Sequence, residues 1–197
     1  MGIDSSALER PLPKPGRDLA SYAAARALEA LLEALLALEF LGRGYTRNAA
    51  GKAFQAWRAL TAALLALEAE RVAKLLRSEE EKRWLLEKAV PRLPTTRLRS
   101  LARLLEEAAT IPYYTPLTDV ALNLHDYQYH GPDPDLALSR YRRREEAAAD
   151  ILYLLDKLAK ITEEHVKPKL LEAGKWGNSH EEALQTLKKK LGAYKSS

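Results

Sequence analysis

The chain has 197 residues, no cysteine and a formal net charge of +4, with 47% hydrophobic and 29% charged residues. This balance suits one folded domain with a sizeable core and excludes a disordered chain. The absence of cysteine excludes a disulfide framework, a thiolate zinc site and a cysteine nucleophile. A single methionine among abundant alanine, leucine, glutamate and arginine is typical of a thermophile protein.

The amino-terminal residues 1–16 include Pro11, Pro13, Pro15 and Gly16, which predict an extended, flexible lead-in. They lack the basic and then apolar layout of a signal peptide. No run of 18 apolar residues follows, because Glu29, Glu33 and Glu39 interrupt the richest stretch. We therefore expect a cytoplasmic protein with no membrane span.

Two long helices are predicted first, over residues 17–41 and from about residue 46 to residue 77. Apolar residues recur in both at spacings of three and four, and Gly42 and Gly44 separate them. Because the connection is short and polar, the two helices should pair antiparallel. The second helix is also rich in alanine, which allows another helix to approach it closely.

Three further helices are predicted before residue 131. The third begins at a capping box, Ser78 to Glu81, and ends at Pro91 and Pro94. The fourth covers residues 95–110. A rigid, aromatic-rich connection leads into the fifth, which carries residues 124–131.

Asp133 followed by Pro134 is a strong signal for a helix start, so a sixth helix is predicted from there to about residue 165. Pro168 should kink or end this helix, and a short last helix begins near Ser179. The fold class is therefore all-α, an up-and-down bundle of about six or seven helices. The predicted divisions are the lead-in at 1–16, a bundle domain at 17–166 and a helical appendage at 167–197.

The most polar, aromatic stretch lies at the end of the fifth helix. His125 and Tyr129 flank its apolar stripe, whereas Asp126 and His130 face away from it and are four residues apart. A hydrogen bond between Asp126 and His130 would orient the imidazole. The two histidines would meet at one ligand only if the helix unwinds before Gly131. The structural alternative is an ordinary helix end with a buried Tyr129.

A basic run follows one loop later, near the predicted start of the sixth helix. Arg140 and Arg144 would share a helical face, with Tyr141 and Arg143 beside it. Such a face suits a phosphate or an RNA backbone. The alternative is a solvated surface on which Arg142 pairs with a nearby glutamate.

Recognised motifs for cofactor chemistry do not occur in the sequence. There is no glutamate three residues before any histidine, no zinc-protease motif, no phosphate loop and no dinucleotide fingerprint. We therefore expect neither a metal site nor a cofactor.

The layout of the chain from about residue 17 to residue 165 resembles the HEPN superfamily, and more closely the archaeal repeat-associated PaREP group. The resemblance is carried by the segment Asn48 to Trp57, by Leu124-His125 with Tyr127, Tyr129 and Gly131, and by a following helix with Glu145, Ala147, Ala148 and Ile151. It implies a helical bundle that commonly dimerises, often in ribonucleases or toxin–antitoxin systems. The ribonuclease members have an arginine, then four to six residues, then a histidine, and no arginine stands four to seven residues before any of the four histidines of this sequence.

The leading functional prediction is therefore a non-catalytic HEPN-like binding protein. In it, His125, Asp126, Tyr129 and His130 would receive a nucleotide or an RNA phosphate together with the Arg140, Arg143 and Arg144 face. One alternative is a ribonuclease or toxin–antitoxin component with His130 as the general base and Asp126 orienting it. Another is a structural homodimer or a partner of another protein, with the alanine-rich second helix as the seam.

Overall fold

The computed structural model describes residues 8–195, and these contain helices, turns and loops but no β-strand. The α-helices are α1 (Leu19–Gly42), α2 (Thr46–Leu67), α3 (Ala69–Leu75), α4 (Glu79–Trp84), α5 (Val90–Arg92), α6 (Leu98–Ala109), α7 (Tyr114–His130), α8 (Arg144–Ile161), α9 (Lys167–Glu172) and α10 (Asn178–Lys195). The predicted all-α bundle is confirmed. Residues 1–7 of the predicted lead-in lie outside the described part of the chain.

Helix α2 is the centre of the bundle, with α1, α7 and α8 packed around it. Its alanines are almost wholly buried because their small side chains let the neighbouring helix backbones come close. The predicted pairing of the first two helices is confirmed, since α1 packs along α2. The alanine-rich surface proposed above as a dimer seam is thus already covered within one chain.

A buried polar pair fixes α7 against α2. The Trp57 indole donates a hydrogen bond to the Thr118 hydroxyl at 2.9 Å, and the ring stacks on Tyr114 with centroids 4.9 Å apart. The Tyr114 hydroxyl shares a 2.8 Å hydrogen bond with Thr61. These polar atoms lie in the core, so each hydrogen bond prevents the loss of stability that an unpaired buried group causes.

The second helix was predicted to continue to about residue 77, but it ends at Leu67 and α3 begins two residues later. Glu68 lies at the break with its side chain buried. Its carboxylate pairs with Lys169 of α9 and, at 3.6 Å, with Arg71. The buried Glu68 charge at the break is therefore within reach of two cations. Apolar periodicity in the sequence predicts one continuous helix here and does not reveal the break.

The third predicted helix ends at Pro91 and Pro94 as expected, since α5 stops at Arg92, whereas Pro168 lies in helical chain that continues to Glu172. A π-helical segment, Leu85–Ala89, joins α4 to α5 just before Pro91, and a second, Thr162–Val166, joins α8 to α9 just before Pro168. A proline ring clashes with the carbonyl four residues earlier, and a widened turn relieves that clash. The chain at 144–172 is consequently one continuous helical rod.

The predicted start of the sixth helix at Asp133 is wrong. The Asp133 carboxylate accepts hydrogen bonds from the backbone N–H groups of Asp135, Leu138 and Ser139 at 2.6–3.2 Å. It therefore organises a loop over residues 131–143, and α8 begins only at Arg144. An aspartate with a free carboxylate satisfies loop N–H groups as readily as those of a helix start.

Helix α10 packs against α1 and α8, so the segment predicted as an appendage lies against the bundle. The predicted division after residue 166 falls inside the α8–α9 rod. His180 anchors α10: its Nε2 donates to the Ala24 carbonyl at 2.9 Å, while its Nδ1 accepts from the Gly177 N–H at 3.3 Å. Among the helices of residues 8–195, none has the length and apolarity that crossing a membrane requires.

Candidate functional site

His125 lies half-buried between α7 and α2. Its ring stacks on Phe54 with centroids 4.1 Å apart, and the ring of Tyr129 meets it edge-on at 5.3 Å. The Gln128 amide holds its Nδ1 at 2.6 Å. Burial lowers the pKa of His125, Asp126 opposes that shift and Arg58 adds to it. The imidazole is therefore neutral near pH 7 and acts as a rigid support for the Tyr129 ring.

The carboxyl end of α7 is fixed to the start of α2 by Arg47. Its guanidinium donates to the carbonyl of Gln128 at 3.0 Å and also to the carbonyl of Tyr129. These are among the last carbonyls of α7, which have no partner inside the helix. A cation at this end also suits the helix dipole. Gly131, with φ of 71°, then turns the chain away against the Arg47 side chain.

Gln128 reaches α2 at a glycine. A Cβ atom at position 51 would collide with the amide oxygen of the Gln128 side chain, so only glycine lets this side chain lie across α2 in its present position. Gly51 is thus the point at which α7 comes close to α2.

An open groove of about 540 Å³ runs along the one side of α2 that α1 and α7 leave uncovered. We call it the α2 groove, and its lining is Phe40 of α1, Arg47, Asn48, Gly51, Lys52 and Gln55 of α2, and Gln128 and Tyr129 of α7. Tyr129 stands on one wall with 63% of its surface exposed. The groove thus combines two aromatic rings, three side-chain amides and two cations.

Two ion pairs lie on the side of α1 that faces α2, one between the two helices and one within α1. Lys52 pairs with Glu33 at 2.9 Å, and Arg26 pairs with Glu29 at 2.6 Å. Burial raises the pKa of Glu29, although the Arg26 charge opposes the shift. Arg58 closes this end by donating to the Leu93 carbonyl at 3.1 Å. The Lys52–Glu33 pair joins the two helices, and Arg47 is the groove cation without a carboxylate partner among residues 8–195.

The predicted site residues do not converge as one set. Tyr129 lines the α2 groove and His125 supports it from below, so these two stay together. Asp126 and His130 are exposed elsewhere on α7, and no hydrogen bond joins their side chains in the structure described. Because α7 stays helical up to His130, the two histidines do not meet. Tyr129 is also exposed, so the alternative of a buried Tyr129 is wrong.

The basic run does not form one helical face, because Arg140 lies in the loop and α8 starts at Arg144. Arg143 pairs with Glu146 at 3.5 Å, and the Glu146 carboxylate also accepts the backbone N–H of Arg142 at 2.8 Å. Tyr141 is buried, and its hydroxyl donates to Asp150 at 2.8 Å. The start of α8 is thus capped by its own glutamate.

Arg144 is the member of the basic run that comes near the groove. Its Nη2 lies 3.8 Å from the position that a Cβ on Gly44 would take, at the turn between α1 and α2. Burial raises the pKa of Tyr127, while the charges of Arg144 and Arg47 both oppose that shift. Two arginines from different helices therefore stand around Tyr127, beside the mouth of the α2 groove.

The sequence analysis did not identify five residues of the groove, Arg47, Asn48, Lys52, Gln55 and Gln128, as site residues. A signal for three of them was present, since a helix made largely of alanine and leucine carries polar residues at positions 48, 52 and 55. These positions are three or four apart and share one helical face. Arg47 could not be found in this way, because its partners are 81 and 82 residues away. Within residues 8–195 no three metal-ligating side chains converge.

Comparison with known proteins gives one family. The model of the archaeal PaREP1/PaREP8 family matches residues 25–152, which include most of α1, all of α2 and α7, and therefore every residue of the α2 groove. No curated protein shows a significant match to the chain, and no solved structure does.

Proposed function

This chain belongs to the archaeal PaREP1/PaREP8 family, and we propose that it is a binding protein whose α2 groove receives a nucleotide, either free or within an RNA chain. Tyr129 offers an exposed ring on which a base can stack. The Asn48 amide and the Gln55 amide N–H groups can pair with a base edge, whereas the Gln55 oxygen accepts from Arg58 and the Gln128 amide is held by His125. Arg47 would meet the phosphate at the groove mouth.

The observation that carries this proposal is the polar side of α2. The rest of this central helix is buried, so its polar side chains are confined to one narrow face. Here that face is left open along a row of amides and cations, between two aromatic residues. Lys52 has a structural role, because it pairs with Glu33 of α1. The exposed ring of Tyr129 has no such role in the stability of the fold.

The phosphate position differs from the one predicted on the loop before α8. There the Glu146 carboxylate already occupies backbone N–H groups that a phosphate would need. Arg144 stands near Gly44, at the turn that leads into α2, so a phosphate at this end of the groove would lie closer to it than to the other arginines of the basic run. Arg140 and Arg143 would contribute only long-range attraction.

The test is binding of a fluorescein-labelled octauridylate (U8) to the purified protein at low salt, followed by anisotropy. We expect Tyr129→Ala to weaken binding about tenfold, the loss of one stacked base. Arg47→Gln should lower the dependence of log affinity on log salt by about 0.7, the value for one phosphate contact on a single strand.

Matched controls exist on other faces of the molecule. Tyr153 is an exposed tyrosine on α8, and Arg83 is an exposed arginine on α4. Tyr153→Ala and Arg83→Gln should leave U8 binding unchanged. If wild-type protein does not bind U8 at low salt, or if the groove variants bind as well as the controls, the proposal is wrong.

A wider set of expectations belongs to the same proposal. We propose a relation to the HEPN superfamily, a cytoplasmic location and a homodimer or another protein partner. Because the alanines of α2 are covered within the chain, a dimer would use another surface. Mass measurement in solution tests the dimer directly.

A further inference from the structure

Two arginines lie against the turns at the start of α2. The Nη2 atom of Arg144 is 3.8 Å from the position that a Cβ on Gly44 would take, and the Nη1 atom of Arg47 is 4.0 Å from that of a Cβ on Gly131. Both glycines have positive φ, 80° and 71°, and neither has a side chain to fill the space beside a guanidinium. Since carbonyls of α7 occupy the Nε and Nη2 of Arg47, its Nη1 is without a hydrogen bond among the described residues.

The Tyr127 hydroxyl lies within reach of both guanidinium groups. Only 1% of the Tyr127 surface is exposed, and its ring packs edge-on against Tyr141 with centroids 5.5 Å apart. Burial raises the pKa of Tyr127, and the charges of Arg144 and Arg47 oppose that shift. The hydroxyl has no hydrogen-bond partner among residues 8–195, yet its oxygen is not sealed from solvent. Because a buried tyrosine usually finds a partner for its hydroxyl, this donor is left for a ligand.

The first turn of α2 adds backbone donors. The backbone N–H groups of Arg47 and Asn48 have no acceptor in the part of the chain that the structure describes, whereas the next one, of Ala49, donates to the Tyr45 carbonyl at 2.9 Å. No side chain caps this helix, and its first turn contains no acidic residue. Since α2 is 22 residues long, its dipole puts a partial positive charge at this end.

We call the two guanidinium groups of Arg47 and Arg144, the Tyr127 hydroxyl and the two free N–H groups the mouth cluster. Glu145 is the carboxylate beside it, 3.5 Å from the Nε of Arg144, and both side chains of that pair are more than half exposed. An exposed pair of this kind is weak. Counting about half a charge for the helix dipole, the cluster has an excess of about 1.5 positive charges.

We propose that the mouth cluster binds a phosphate monoester, the terminal phosphate of the nucleotide ligand. Arg47 and Arg144 contact its oxygens, the Tyr127 hydroxyl donates a further hydrogen bond, and the free N–H groups of α2 face it. A terminal phosphate has three unesterified oxygens and a charge of about −1.5 to −2 near pH 7, whereas a phosphate inside a strand has two such oxygens and one charge. The terminal group therefore matches both the donors and the excess charge.

This inference rests on the proposed function, since it names which phosphate of the ligand lies at the mouth of the α2 groove. The experiment uses unlabelled octauridylates as competitors of labelled U8 at low salt. One has hydroxyls at both ends, one has a 5′-phosphate and one has a 3′-phosphate. We expect one of the phosphorylated forms to compete about tenfold better than the hydroxyl-ended form, because charge-assisted hydrogen bonds are added. A methyl ester of that same terminal phosphate should lose most of the gain.

Two variants test whether the gain arises at the mouth cluster. Tyr127→Phe keeps the ring and removes the hydroxyl, and Arg144→Gln removes one cation. Each should reduce the tenfold ratio between phosphorylated and hydroxyl-ended octamers to about threefold or less. The matched control is Arg83→Gln on α4, which should keep the wild-type ratio.

A second measurement needs no nucleotide. Sodium phosphate should raise the melting temperature of the wild-type protein more than sodium chloride of equal ionic strength does, because phosphate binds the folded state alone. This difference should shrink in Tyr127→Phe and in Arg144→Gln, and it should persist in Arg83→Gln.

The outcomes separate the two proposals. If neither phosphorylated octamer competes better than the hydroxyl-ended one, if the methyl ester competes equally well, or if the gain survives in both cluster variants, the inference is wrong while nucleotide binding in the groove stands. If no octamer competes and labelled U8 does not bind, the proposed function is wrong. In that case selective stabilisation by phosphate, lost in the cluster variants, still supports the anion site, and its absence overturns the site as well.

Discussion

Replacing Gly51 by alanine tests the contact between α2 and α7 that shapes the groove. Gly51 is inside a helix, where alanine is more favourable than glycine by about 1 kcal/mol. Its new Cβ, however, would collide with the Gln128 amide oxygen. That atom ends a flexible side chain, so Gln128 would rotate away and lose its 2.6 Å hydrogen bond to His125. Such a bond contributes about 0.5–1.5 kcal/mol.

The gain and the loss nearly cancel, so Gly51→Ala should change the free energy of unfolding by less than about 1 kcal/mol. In a Gln128→Ala background there is no amide to displace, and the same change should stabilise by about 1 kcal/mol. The four proteins form a double-mutant cycle with a coupling of about 1 kcal/mol. Urea unfolding followed by circular dichroism gives each value.

The reasoning is refuted if Gly51→Ala stabilises equally in both backgrounds, since Gln128 would then not lie over Gly51. A loss above about 3 kcal/mol would also refute it, because that is the result of a clash with atoms that cannot move. The histidine signals in an NMR spectrum supply a second measure. In Gly51→Ala the resonances of His125 should shift, and those of His180 should not.

Three further predictions concern stability. Thr118→Val leaves the buried Trp57 indole N–H without its acceptor and should cost about 1–3 kcal/mol in urea unfolding, whereas Thr118→Ser should largely preserve stability. Burial lowers the pKa of His180, so this histidine binds a proton more readily in the unfolded chain than in the folded one. The free energy of unfolding should therefore fall as the pH drops below the ordinary histidine value of about 6.5. This residue contributes a slope of at most about 1.4 kcal/mol per pH unit. The decline should be shallower in His180→Gln, and equal pH profiles would contradict the assignment. Leu136 is exposed and adopts φ of 56°, which is strained for a residue with a side chain. Leu136→Gly should relieve about 1 kcal/mol of this strain and raise the melting temperature by a few degrees. A lower melting temperature would show that the leucine side chain makes a stabilising contact.

Patterns that depend on near neighbours in the sequence were predicted well. The capping box at Ser78 forms, with its hydroxyl accepting the Glu81 N–H at 3.1 Å, because both partners are three residues apart. The helices themselves follow from apolar periodicity for the same reason. The error at Asp133 shows the limit of such signals, since one carboxylate fits both a helix start and a loop.

The candidate site was predicted only in part, because it depends on contacts between distant residues. His125 and Tyr129 were identified because they are polar aromatic residues close together in the sequence. Their packing against α2, which forms the groove, was not predicted. Arg47 has its partners on α7, and nothing near it in the sequence indicates that contact. The break at Glu68 is similar, since the buried charge is stabilised by Lys169, about a hundred residues later.

The widened turns before Pro91 and Pro168 also have a consequence for how this sequence can change over time. Each π-helical turn holds one residue more than an α-helical turn between its bonded groups. Deleting one residue from 162–166 while replacing Pro168 would close the turn into regular helix and leave the residues on either side facing as before. The same holds for 85–89 with Pro91. Length differences of one residue among descendants of this chain should therefore fall at these two turns, in step with the loss of the proline that follows.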